Sequence, residues 1–330
     1  MANQSNQPNT VRDSRVSVVI TVLNEADTVD VLIDSLVSQS LSPTRVVIID
    51  GGSTDGTLQK IQKYPEKVPF ELVCALVPGN RSIGRNAGIR SFIDTPLVAI
   101  TDAGCVLDEK WLESLVQTWQ SCAVPVVAGY YAPIPGASIF QKAVAPFFLV
   151  MPDKVKVGEF LPATRSMLLE RVAWETVGGF DEQLSDNEDY AFANLLKKSG
   201  YAIGFSSQAV AYWSPPGSLR QFWRTIFRFA RGDVVANLYR PKVALLLLRY
   251  VLGLGLLLMA IQPAAGVVTW LLVTLVVLYV VWAIIKLKKY VPSEGLFYLP
   301  LLQITADLAV ISGSASGLLR KLGKFLPSQE

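Results

Sequence analysis

The sequence predicts an α/β domain built on a mostly parallel sheet with helices on both faces, followed by a membrane-embedded helical region. Three observations predict it. Over residues 16–121, apolar β-branched runs alternate with stretches whose apolar residues recur every three or four positions. Short segments carrying glycine, carboxylate or arginine follow those runs: Thr21–Glu25 (TVLNE), Asp50–Thr57 (DGGSTDGT), Arg81–Gly88 (RSIGRNAG) and Thr101–Cys105 (TDAGC), with Asn187–Tyr190 (NEDY) later. An open parallel sheet places its ligand site beyond the carboxyl ends of its strands, where such residues fall. After Pro241 the chain becomes strongly apolar and nearly free of charge.

The elements follow in order. Residues 16–22 form the first strand, and residues 26–38 place Val29, Leu32, Ile33, Leu36 and Val37 on one helical face. Pro43 ends the connection to a second buried strand over 45–49. A helix over 57–63, a strand over 70–76, a helix over 82–92 and a strand over 97–101 come next. The helix over 109–121 has Trp111, Leu112, Leu115, Val116 and Trp119 as its apolar face. This alternation implies right-handed βαβ units. From Val124 the pattern loosens, and residues 129–138 (GYYAPIPGAS) read as loop around a site. Residues 174–180 and 188–200 return to helical periodicity, and 202–212 read as one or two strands.

The 330 residues are 51% hydrophobic and 17% charged, against about 25% charged in an average soluble domain. Residues 243–261 carry one charge, Arg249, and residues 264–285 carry none. Both are long enough to cross a bilayer, which takes about 20 apolar residues. Gln262-Pro263 joins them as a tight hairpin. Arg240 and Lys242 precede it and Lys286, Lys288 and Lys289 follow it, so both ends are expected on the cytoplasmic side. Residues 296–311, with Asp307, form a re-entrant helix, a surface-lying helix or a third span, and Arg320, Lys321 and Lys324 favour a cytoplasmic C-terminus. Residues 218–238 interleave Arg220, Arg224, Arg228 and Arg231 with Phe222, Trp223, Phe227 and Phe229. That mixture suits a helix at the lipid headgroups; the alternative is an amphipathic helix packed on its own domain. The first residues are polar and carry no secretory signal. A net charge of +3 gives no case for nucleic acid, and three cysteines without CxxC spacing suggest neither a zinc site nor a disulfide framework.

There is no histidine. That excludes histidine triads, histidine bases and histidine metal ligands, and leaves acid–base work to carboxylates. Asp50 at a strand end can accept the N–H of a base edge, while Gly51 and Gly52 allow a tight turn and close ligand approach. Asp55 reads as a turn or helix-cap residue. Arg81 and Arg85 lie about a glycine turn that opens a helix, and guanidinium groups at a helix N-terminus favour a diphosphate.

In this order the segments resemble glycosyltransferase family 2, inverting enzymes of the GT-A fold that use nucleotide-sugar donors; the resemblance covers residues 14–233. It implies that Thr21, Leu23, Asn24 and Glu25 hold the base and ribose, that Asp50 contacts the base, and that Arg81 and Arg85 face the diphosphate, Arg85-Asn86-x-Gly88 matching RNxG. Asp102 stands at the DxD position, where carboxylates hold Mg²⁺ or Mn²⁺; the chain reads Asp102-Ala103-Gly104, without the second carboxylate. Glu188-Asp189 matches the ED motif, with Asp189 expected as general base and Glu188 orienting it. Gln221-x-x-Arg224 resembles QxxRW, with Thr225 in place of the tryptophan and Arg224 facing the leaving diphosphate. The expected division is a polar tail (1–14), a GT-A catalytic domain (15–217), an interfacial helix (218–240) and a transmembrane hairpin with a third apolar segment (241–330). The expected reaction moves one sugar to a lipid-linked, saccharide or other membrane-near acceptor. It would run on the cytoplasmic face of the inner membrane, among membrane lipids and with a divalent metal. A processive polysaccharide synthase and a silent nucleotide-binding membrane scaffold are the alternatives.

Overall fold

Side-chain alternation along the first strand sets the layers of the molecule. In β1 (Val16–Val22), Val16, Val18, Ile20 and Val22 point to one face, where α1 (Val29–Val37) and α4 (Trp111–Cys122) cover them. Val19 points to the other, with Val47 and Ile49 of β2 (Arg45–Asp50) and Ile89 of α3 (Arg81–Phe92). Burial on both faces is why these strands read as unbroken apolar runs. The computed structural model describes residues 12–238, 240–262 and 266–325. Most of the expected polar tail, and Pro263 of the hairpin link, lie outside the described residues.

The remaining strands are β3 (Glu71–Leu76), β4 (Leu97–Asp102), β5 (Cys105–Leu107), β6 (Val126–Pro133), β7 (Met167–Glu170) and β8 (Ile203–Trp213). The sheet runs β3-β2-β1-β4-β7-β6-β8-β5. It is parallel from β3 to β4, where strands alternate with helices, including the short α2 (Thr57–Ile61). Beyond β4 it is mixed: β7 runs antiparallel to β4 and β6, while β8 is parallel to β6 and antiparallel to β5. Residues 129–133, expected as loop, continue β6 instead. Tyr130–Pro133 pair with Val210–Trp213 after a register shift at Ala128/Tyr130, and that shift hides the strand's period from the sequence. The stretch 202–212 is one long strand, followed across the sheet by α6 (Arg171–Val177) and α7 (Glu188–Lys198) on the α3 face.

The C-terminal part is built on α8 (Leu219–Val235), α9 (Pro241–Ala260), α10 (Gly266–Leu287) and α11 (Tyr298–Phe325). The last three are long and apolar enough to cross a membrane. α9 and α10 form a hairpin that leaves most of its leucines and valines exposed, as lipid-facing helices do. Its return end meets the α/β domain, where Lys289 and Tyr290 engage Asp153. Of the three readings of the last segment, the structure gives a helix nearly half buried in protein, lying along α8. Phe222 and Ile226 of α8 enter a cluster with Leu299, Leu302 and Ala309 of α11 and Ala143 and Val144 of α5 (Ile139–Val144). The apolar face of α8 therefore meets protein, and its exposed face is formed by Arg220, Gln221, Arg224 and Arg228. Within the apolar helices, Asp307 of α11 is bonded by Arg249 and Tyr250 of α9, by Tyr279 of α10 and by Gln303. An ionisable side chain at such depth needs partners of this kind.

α8 and α11 touch backbone to backbone at Gly313 and Gly317. A Cβ on Gly317 would stand 2.8 Å from the carbonyl oxygen of Arg231, and one on Gly313 would collide with that of Phe227. This is the small-xxx-small packing by which membrane helices approach closely. Gly313→Leu is expected to force the pair apart at a cost of about 1–3 kcal/mol or more, read as a lower unfolding temperature of the detergent-solubilised chain.

Candidate active site

Strand register brings the site residues level. Asp50 ends β2 opposite Val22, and Asp102 ends β4 opposite Thr21. α3 sits directly on these strand ends because Gly84 has no side chain: a Cβ there would lie 2.8 Å from Cγ2 of Thr21. Asn80 caps α3 by accepting the Ile83 amide at 3.0 Å. Gly79, Asn80 and Arg81 thus open the helix at the wall of a cavity of about 440 Å³, together with Thr21, Leu23 and Glu25. Backbone N–H groups and the helix dipole make such a terminus attractive to phosphate.

A second, larger cavity of about 890 Å³ begins where the first ends, since Arg81 and Asp102 line both. Asp189 and Glu188, at the N-terminus of α7, stand on its wall. It then runs between Phe229 and Val234 of α8, Leu247 of α9 and Val310 of α11. One end of this space is polar and lies at the strand tips; the other is walled by apolar helices.

Between the two acidic motifs lies Arg85, fully buried. Its guanidinium donates to Asp102 Oδ1 at 2.9 Å, to Glu188 Oε1 at 2.9 Å and to Thr164 Oγ1 at 3.0 Å. Thr164 donates in turn to Asp102 Oδ1 at 3.1 Å. Burial pushes the Asp102 carboxyl upward, but Arg85, with Arg165 and Arg81, outweighs it and holds Asp102 below its ordinary value. Asp189 goes the other way: burial first, then the negative charges of Glu188 and Asp102, raise it above the ordinary carboxylate range. The site thus holds one carboxylate kept charged and one kept basic.

The α7 motif hangs from α8. Asn187, in a left-handed conformation with φ 60°, donates to the Phe229 carbonyl and to Asp233 Oδ1, both at 2.8 Å. Asp186 pairs with Arg231 at 2.8 Å. Arg240 binds Asp233 and stacks 4.7 Å from the centre of the Tyr190 ring. Asn86, after Arg85, ties α3 to the next loop, donating to the Phe180 carbonyl and accepting from the Phe180 amide.

The structure therefore gathers Thr21, Leu23, Glu25, Arg81, Asp102, Glu188 and Asp189 around two joined cavities. Four expected positions differ. Asn24 lines neither cavity: its side-chain oxygen accepts the Thr54 amide at 2.9 Å, which ties it to the neighbouring turn. Asp50 lines neither cavity: it is fully buried, and one oxygen accepts the Gly52 and Ser53 amides at 2.8 and 2.7 Å, so it shapes the turn. Arg85 meets carboxylates instead of open space, because both acidic motifs close over it. Arg224 is exposed on the side of α8 away from the larger cavity, which the helix lines with Ile226, Phe229, Ala230 and Asp233. Asp55 is a cap, accepting from the Thr57 and Ala26 amides. Sequence reasoning missed Thr164, Arg165, Asp233 and Arg240. Thr164 and Arg165 lie in an aperiodic stretch before a four-residue strand, so no pattern flagged them; the spacing of Asp233 and Arg240 about the end of α8 was legible only as charge.

A sequence profile of glycosyl transferase family 2 matches residues 17–170, and one of glycosyl transferase family group 2 matches residues 97–285. The succinoglycan biosynthesis protein ExoA of Rhizobium meliloti is 28% identical over 269 residues, which cover 78% of this chain and 79% of that one. The glycosyltransferase AglE of Haloferax volcanii is 22% identical over 223 residues, 66% of this chain and 73% of that one. Among solved structures, the mannosyltransferase PcManGT from Pyrobaculum calidifontis, in complex with GDP-Man and Mn²⁺, superposes with a TM-score of 0.66. That match covers 93% of this chain and 88% of the other at 17% identity, and shows a shared fold. With the second profile spanning more than half of its length, the chain belongs to glycosyltransferase family 2 and is a glycosyltransferase of GT-A fold.

Proposed function

We propose that the protein transfers a sugar, with inversion, from a nucleoside diphosphate sugar to a hydroxyl of a lipid-linked acceptor at the cytoplasmic face of the inner membrane. The observation that carries this reading is the pair of cavities sharing Arg81 and Asp102 as their common wall. The nucleotide belongs in the smaller one, its ribose and base between Thr21, Leu23 and Glu25. The diphosphate crosses at Arg81 and the N-terminus of α3. The sugar then projects into the larger cavity beside Asp189, and the acceptor's hydrocarbon chain lies along α8, α9 and α11. Domain boundaries near residues 217 and 240 fit this division. The cations at both ends of the α9–α10 hairpin support the cytoplasmic placement.

In an in-line displacement the acceptor oxygen attacks the anomeric carbon. Its proton passes to the Asp189 carboxylate, while the bond to the donor's β-phosphate breaks and leaves its electron pair on the phosphate oxygen. A raised pKa suits Asp189 to that step, because a base works best when its affinity for a proton is substantial. Glu188 is tied to Arg85 and serves as the neighbouring charge that sets it.

A divalent cation fits the donor set through Asp102. Arg85 and Thr164 occupy one of its oxygens, its side chain stays 23% exposed, and Gly104 leaves open space where a second carboxylate would stand. The described residues contain no cluster of three acidic or cysteine ligands. Asp102 would therefore hold the ion together with phosphate oxygens and water, as one-carboxylate magnesium sites do. Bound there, the ion would neutralise charge on the diphosphate.

Asp189→Asn is expected to lower kcat by about 10²–10⁴-fold with little change in donor affinity, measured as sugar transfer in membranes supplied with lipid acceptor. The acidic limb of kcat/KM follows Asp189. Because its carboxyl is raised, activity should fall with decreasing pH at a point above the ordinary aspartate value of about 3.9. Asp102→Ala should weaken both the Mn²⁺ dependence of transfer and the binding of nucleoside diphosphate in the presence of Mn²⁺, followed by calorimetry.

A further inference from the structure

Arg165 has no part in the motifs and stands at the heart of the larger cavity. It is three-quarters buried. Its guanidinium is held between two aromatic rings, 5.3 Å from the centre of Tyr131 and 4.9 Å from that of Trp213. Stacking of this kind fixes the plane of an arginine without using its donors. Its Nε lies 3.9 Å from Asp102 Oδ2, beyond hydrogen-bond distance, and its two terminal nitrogens donate to nothing among the described residues. Of the cations around Asp102, Arg85 is spent on Asp102 and Glu188, and Arg81 leans toward Glu188 at 3.6 Å. Arg165 is the one whose forked end is aimed, unspent, into the cavity that also holds Asp189.

We propose that Arg165 binds a phosphate group during the reaction, presenting its two terminal nitrogens to phosphate oxygens on the far side of Asp102. The inference rests on the transferase reading given above. Two sources share that chemistry: the donor's β-phosphate, whose oxygen gains the electron pair as its bond to the sugar breaks, and a phosphate carried by the acceptor lipid. A guanidinium fork matches the bidentate geometry that phosphate favours. Its position also answers the missing second carboxylate of Asp102-Ala103-Gly104, because a fixed guanidinium offers the positive charge that a more fully coordinated cation would otherwise bring.

The test uses the full chain in nanodiscs, with Arg165→Gln and Arg165→Lys. Affinities for UDP and GDP are compared with those for UMP and GMP by calorimetry. Binding to phosphatidylcholine vesicles carrying a polyprenyl monophosphate is compared with binding to phosphatidylcholine alone. If the donor supplies the phosphate, Arg165→Gln shrinks the preference for diphosphate over monophosphate by about tenfold or more, the worth of a charged hydrogen bond, and monophosphate affinity holds. If the acceptor supplies it, the preference for phosphate-bearing vesicles falls instead and the nucleotide preference holds. In either case Arg165→Lys recovers part of the loss. Both preferences surviving in Arg165→Gln, or diphosphate and monophosphate affinities falling together, would overturn the proposal. A wild-type chain that binds neither nucleotide series would overturn the transferase reading itself.

Discussion

The site depends on one buried cation. Arg85 brings a strand tip, a helix N-terminus and a loop to a single point through Asp102, Glu188 and Thr164. Taking a guanidinium wholly out of water is tolerable only because two carboxylates and a hydroxyl meet it; removing one partner of such a group typically costs about 3–5 kcal/mol. The same bonds account for the divergent behaviour of the acids. Arg85 holds Asp102 ionised, whereas Asp189 lies outside Arg85's hydrogen bonds and is raised first by burial and then by its acidic neighbours. Direct contact with one buried arginine thus distinguishes two aspartates that line the same cavity.

The second constraint is the seam between the α/β domain and the membrane helices. The NEDY segment is fastened to α8 through Asn187 and Asp186, and α8 in turn lies on α11. Asp189 is therefore positioned from the α8 side as much as from the sheet. This explains why Asp233 and Arg240, expected within an interfacial helix, belong structurally to the site.

The parallel half of the fold was legible because its strands are buried on both faces and its helices carry clean apolar stripes, as with Val29 to Leu36 and Trp111 to Trp119. Thr21, Leu23, Glu25, Arg81, Asp102, Glu188 and Asp189 line the cavities toward which their motifs pointed, while Asn24, Asp50, Arg85 and Arg224 do not. What the sequence concealed has physical reasons. β5 and β7 are three and four residues long, too short to display a period. Charge type alone could not say that Arg85 is enclosed and Arg165 open, because that difference arises from long-range closure: Glu188 comes 103 positions after Arg85. The Gly313/Gly317 stripe was visible in the sequence, but its meaning depends on a partner helix that only the fold supplies.

The pairing of Arg249 with Asp307 carries a consequence for biosynthesis. The two residues are separated by 58 positions, so the first apolar helix emerges from the ribosome well before the acid that neutralises it. Until the last helix arrives, Arg249 has only the rings of Tyr250, Tyr279 and Trp282 within the hairpin and no carboxylate partner, a state that favours shallow or tilted insertion. Docking of the final helix both pairs that charge and completes the wall of the larger cavity. Packing of the apolar helices and closure of the larger cavity are thus the same event, and both wait for α11.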